Sequence, residues 1–79
     1  MNVTDKVKEM ISYITDRDMS GVTGDTLLYE ELGLNSFEMI RLIYETENEF
    51  DTEIDKDIYS GFRTISDITG WLEKEGAGI

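Results

Sequence analysis

A chain of 79 residues with 18 acidic side chains, 7 basic ones and a net charge of −11 has room for one modest core, and its charge repels nucleic acid and anionic membrane surfaces. It contains neither histidine nor cysteine, which removes the usual general base, the commonest metal ligand and any disulfide staple. An enzyme-sized cleft is not expected, and the natural partners of so acidic a chain present basic surfaces.

The opening Met1-Asn2-Val3-Thr4-Asp5 lacks the basic region and apolar run of a secretory signal. No apolar stretch approaches the length of a membrane span. The expectation is a single domain over 1–79, monomeric and cytoplasmic.

Val3, Val7, Met10, Ile11 and Ile14 fall on one face at about 100° per residue, which predicts an amphipathic helix from Thr4 to Thr15. From Asp16 to Asn35 the period breaks, and Gly21, Gly24 and Gly33 among Asp, Ser and Thr predict a long loop. A loop of that length needs a function or its own anchors, and Leu27, Leu28, Leu32 and Leu34 are the candidates. Asn35 and Glu38 spell a capping box for a second helix that runs to Phe50. Short turns around Ile58 and Tyr59 are expected between Asp55 and Gly61. Thr64 and Asp67 repeat the capping pattern for a last helix that carries Ile65, Ile68, Trp71 and Leu72 and ends before Gly76. Residues 76–79 read as a frayed tail. No run alternates with period two, so no strand is expected, and Tyr13, Phe50, Phe62 and Trp71 are assigned to the core. The fold class is all-α, a small four-helix bundle of three main helices and one short one with a long first loop.

The stretch Glu30-Glu31-Leu32-Gly33-Leu34-Asn35-Ser36-Phe37 is the most informative. With Asn35 as the cap, Ser36 takes the first helical position with its hydroxyl unspent, at the positive end of the helix where a phosphate ester is electrostatically favoured. On position alone, a plain helix-start serine is the far commoner case. Along the same helix Met39, Leu42, Ile43 and Phe50 suit the core. Phe37, Ile40 and Tyr44 form a neighbouring apolar shoulder, which reads either as a wide buried face or as a docking surface. Between Glu30 and Asp57 ten acids stand against Arg41 and Lys56 alone.

Leu32-Gly33-Leu34-Asn35-Ser36-Phe37 resembles the signature of the acyl and peptidyl carrier family, in which Leu-Gly-x-Asp-Ser-Leu surrounds a modified serine. The resemblance spans nearly the whole chain: Asp25–Glu31 is similar to the segment before the signature, Glu45–Ile54 to the acidic end of the second helix, and Ile65–Leu72 to the closing helix. It implies a 4′-phosphopantetheine joined covalently to Ser36, with Gly33 and Asn35 shaping the attachment loop. The arm's thiol would hold a biosynthetic intermediate as a thioester, so that the chemistry is the cofactor's and the chain is no enzyme. Implied partners are a phosphopantetheinyl transferase, an acyl- or aminoacyl-loading enzyme and downstream synthases or transferases. They would meet Phe37, Glu38, Ile40, Arg41, Tyr44, Glu45 and Glu47. Two residues depart from the pattern. Asn35 replaces the acidic residue before the serine, which keeps a cap but loses a charge and makes an aminoacyl or peptidyl carrier a credible alternative. Arg41 places a cation on a face that is usually acidic. A fatty-acid, polyketide or specialised pathway fits the acyl reading. The rival of another class is an unmodified helical interaction module.

Asp16-Arg17-Asp18-Met19-Ser20-Gly21 also looks like the opening of a calcium-binding loop. Leu27 stands where that loop needs a bidentate glutamate, so no metal site is expected.

Overall fold

The computed structural model describes residues 2–75, so the expected frayed tail at 76–79 lies outside the described residues. Helix α1 spans Val3–Thr15, one residue longer at its start than the periodicity predicts, because Asn2 rather than a later residue is the N-cap. Its Oδ1 accepts from the Asp5 N–H at 2.8 Å. Helix α2 spans Ser36–Phe50 and α4 Ile65–Lys74, each behind the capping box that its sequence predicts. Helix α3 covers Lys56–Tyr59 within the expected short turns, with no side-chain cap. The bundle is all-helical, with three main helices and one short one.

Helix α1 packs against both α2 and α4. The core joins Val7 and Ile11 of α1 to Met39, Leu42 and Ile43 of α2 and to Ile65, Ile68 and Leu72 of α4. Two polar residues are buried with them, Thr46 and Thr69. The Thr46 hydroxyl donates to the Leu42 carbonyl at 2.7 Å, so its own helix satisfies it and the burial leaves no orphan donor. Of the four aromatics assigned to the core, Phe62 is buried and Phe50 and Trp71 pack against the core half-buried. Tyr13 corrects the expectation, for it is 75% exposed. It lies well round the α1 cylinder from the Val7–Ile11 line, off the stripe that faces the core.

The segment between α1 and α2 is ordered by more than its leucines. Leu28, Leu32 and Leu34 are buried, whereas Leu27 is only half-buried. Backbone bonds supply the rest: Leu28 N–H donates to the Arg63 carbonyl at 2.8 Å, and Ser66 N–H to the Gly24 carbonyl at 2.8 Å. An isolated antiparallel bridge pairs Leu27 with Thr64, the one strand-like feature among the described residues. The loop is thereby tied to the start of α4.

That start is held by a second capping box. The Asp67 N–H donates to the Thr64 hydroxyl, while Asp67 Oδ2 accepts from the N–H groups of Arg63 at 2.8 Å and Thr64 at 3.1 Å. The bond from Arg63, reinforced by Thr64, holds the Asp67 carboxyl below its ordinary value against a smaller opposing cost of desolvation. Because the folded state favours the carboxylate, this contribution is complete above the unfolded-state pKa and is lost as pH falls through the lower folded one. Denaturant unfolding of wild type and Asp67→Asn should therefore show a gap at neutral pH that closes on acidification. A gap that held constant into acid would remove the carboxylate from the account.

Gly70 sits inside α4, exposed, and apart from its own stretch of helix no heavy atom of the described residues lies within 4 Å of the place a Cβ would take. Gly70→Ala should stabilise by about 0.8–1 kcal/mol through helix propensity and a less flexible unfolded chain. For a domain of this size that raises the thermal midpoint by roughly 4–8 °C, which a calorimetric scan would read.

Candidate functional site

Ser36 owes its presentation to the residues on either side of it. Leu32 and Leu34 are buried, at 5% and 4% exposure, and anchor the chain on the core just before the helix. Between them Gly33 turns the backbone at φ +68°, a left-handed conformation that a side chain would strain, and a Cβ there would also come within 3.4 Å of Arg17 Nη2. Asn35 then closes the capping box: its Oδ1 accepts from the Glu38 N–H at 2.8 Å, and Glu38 Oε1 accepts from the Asn35 N–H at 3.0 Å. One turn on, Met39 is buried at 2%. Ser36 is left exposed at the first position of a 15-residue helix. Its hydroxyl has no hydrogen-bond partner among the described residues. The cap consumes Asn35, not the serine.

The shoulder predicted on α2 faces solvent. Phe37 is 86% exposed, Tyr44 61% and Ile40 55%, so the wide-buried-face reading fails even for Ile40. Arg41 forms no ion pair with the acids a turn away among the described residues. It lies instead over the ring of Tyr13, 5.7 Å from the centroid, and so links the α2 face to α1. Glu45 is half-buried and borders a groove of about 200 Å³ with Glu9, Met10 and Tyr13. Two of the acids assigned to partners also have structural work. Glu38 spends one oxygen on the cap. Glu47 Oε2 accepts from the Ile54 N–H at 2.7 Å and fixes the chain leaving α2.

Sequence reasoning gave Tyr29, Lys56, Tyr59 and Ser60 no role beside the serine. An open groove of about 410 Å³ borders Ser36, walled by Met39 and Ile40 of α2, by Tyr29 of the loop and by Lys56, Tyr59 and Ser60 around α3. No local pattern announces this neighbourhood, because it arises from how the loop and α3 meet the start of α2.

The calcium-like stretch is organised otherwise. Asp16 is the left-handed C-cap of α1 at φ 57°, and Asp18 Oδ1 accepts from the Ser20 N–H and hydroxyl. Among the described residues no group of three or more acids is placed to hold a metal ion, and no helix is long and apolar enough to cross a membrane.

Comparison with known proteins agrees with this geometry. A family model described as the phosphopantetheine attachment site matches residues 5–72. An acyl carrier protein from Aster yellows witches'-broom phytoplasma is 32% identical over 72 residues, which cover 91% of this chain and 95% of that one. One from Thermotoga maritima is 33% identical over 70 residues, covering 89% and 86%. A solved Mycobacterium tuberculosis chain assigned as an acyl carrier protein superposes with a TM-score of 0.85 at 26% identity, covering 91% of this chain and 96% of that one. The chain thus belongs to the acyl carrier family, whose members bear a phosphopantetheine attachment site, and it is a carrier rather than an enzyme.

Proposed function

We propose that Ser36 carries 4′-phosphopantetheine through a phosphodiester, and that the arm's thiol holds an acyl intermediate as a thioester for delivery to partner enzymes. The observation that carries this reading is the Ser36 hydroxyl itself, exposed and unbonded among the described residues at the start of α2 within Leu32-Gly33-Leu34-Asn35-Ser36-Phe37. The positive end of the helix favours the phosphate charge there. The whole of 1–79 then acts as one carrier domain. Phe37, Ile40, Arg41 and Tyr44 are the residues offered to a phosphopantetheinyl transferase, a loading enzyme and downstream synthases or transferases, while Glu45 and the free oxygens of Glu38 and Glu47 supply negative potential. A fatty-acid, polyketide or specialised biosynthetic pathway would use such a carrier, and a cytoplasmic setting suits those partners. Asn35 supports a second reading as an aminoacyl or peptidyl carrier, since an uncharged cap replaces the acid expected in the acyl branch.

The test is intact-mass measurement after incubation with coenzyme A and a broad-specificity phosphopantetheinyl transferase. The reaction moves one phosphopantetheinyl group to the serine oxygen and releases adenosine 3′,5′-bisphosphate. A mass gain of one arm is expected. An unchanged mass with an active transferase would favour the unmodified interaction module. Loading of the armed protein by an adenylating enzyme rather than an acyl transferase would select the aminoacyl reading.

A further inference from the structure

We propose that the groove beside Ser36 is an anion-accepting cleft, in which Lys56 receives a negatively charged group tethered to that serine. The inference rests on Ser36 bearing the arm, and it adds the chemical class of what the groove takes.

The argument begins with the scarcity of positive charge. Between Glu30 and Asp57 the chain has two cations against ten acids. Arg41 is engaged with Tyr13. Lys56 is the cation that borders the groove, which it shares with Ser36. The ion pair found among the described residues joins Lys6 to Glu49 and leaves Lys56 without a partner there. Asp55 and Asp57 flank Lys56 in sequence, yet neither contributes to the groove wall. Tyr29 and Tyr59 add two phenolic hydroxyls that have no hydrogen-bond partner among the described residues, so each remains available as a donor. A lysine with two tyrosines, in an otherwise acidic half of the molecule, is a donor set for an oxyanion.

An exposed lysine alone binds free anions poorly. A group covalently attached at Ser36 is different, because tethering supplies an effective concentration in the millimolar range without any new contact. Two oxyanions could be presented in this way: the phosphodiester of the arm, or a carboxylate at the far end of the cargo. They share one chemistry and differ in where the charge sits.

The experiment separates them. A broad-specificity transferase would load wild type and Lys56→Gln with coenzyme A, butyryl-coenzyme A or succinyl-coenzyme A, and each product would be examined by amide chemical shifts and thermal midpoint. If the phosphate is the ligand, the amides of residues 56–60 shift on addition of the bare arm, and Lys56→Gln removes the shift. If a cargo carboxylate is the ligand, the succinyl form shifts those amides beyond the butyryl form and melts roughly 2–4 °C higher. Lys56→Gln cancels that difference and Lys56→Glu reverses it. The unloaded variants control for folding and should melt with unloaded wild type. Loaded proteins whose shifts at residues 56–60 are the same with and without Lys56 would overturn the cleft and leave the carrier reading standing. A protein that gains no mass from any donor would overturn both.

Discussion

Ser36→Ala is expected to take up no arm at all under conditions that load wild type to completion, and yet to melt within about 2 °C of it. The two halves of this expectation come from different features of the same turn. The serine is exposed and its hydroxyl bonds to no described residue, so removing the oxygen leaves no buried group orphaned. Alanine is a better helix former than serine in general. The cap that starts α2 runs through Asn35 and Glu38 and does not involve the replaced side chain. Loss of loading without loss of stability is therefore the signature of a residue kept for its chemistry. A variant that loaded normally would move the attachment to another hydroxyl, and one that melted far below wild type would show that Ser36 helps to hold the loop. Intact-mass measurement and a melting curve on the same sample decide between these outcomes.

How far the sequence could be read depended on whether the controlling contacts were local. The Asn35–Glu38 and Thr64–Asp67 boxes join residues three apart, and both form as their spacing predicts. The arc of Phe37, Ile40 and Tyr44 is local too, but its position leaves open whether it is buried, and only the packing shows it exposed. Tyr13 was misplaced because its size was weighed above its position: it lies roughly 120° round the helix from Val7, off the buried stripe. Thr46 shows the converse error. It sits within the buried stripe of α2 between Leu42 and Ile43 by rotation, and only its polarity hid it. The bonds from Leu28 to Arg63 and from Ser66 to Gly24 join segments about 35 to 42 residues apart, and nothing in either segment names the other. Lys56 reaches the serine's groove through the same kind of long-range packing. The capped start of α2 and the place of Ser36 at it were therefore legible in advance, while the surroundings were not.

Leu28→Ala is the second large effect expected, and it tests whether the loop or the helix alone presents the serine. Leu28 is completely buried although it belongs to no helix. Its N–H donates to the Arg63 carbonyl, and its own carbonyl accepts from Leu34 N–H at 3.1 Å, one residue before the Asn35 cap. Truncation removes the loop's anchor in the core and leaves a cavity, which costs about 2–5 kcal/mol for a buried leucine. A chain of this length holds only about 4–12 kcal/mol in total, so the thermal midpoint should fall by roughly 8 °C at the least. The more telling readout comes well below that midpoint, where the helices persist. If the loop positions Ser36, loading by the transferase should slow several-fold in Leu28→Ala while the helical circular dichroism remains. Leu27→Ala, one residue away and only half-buried, should affect both far less. Should Leu28→Ala melt early and still load at the wild-type rate, the anchor would prove to stabilise the fold alone. The capping box would then suffice to present the serine.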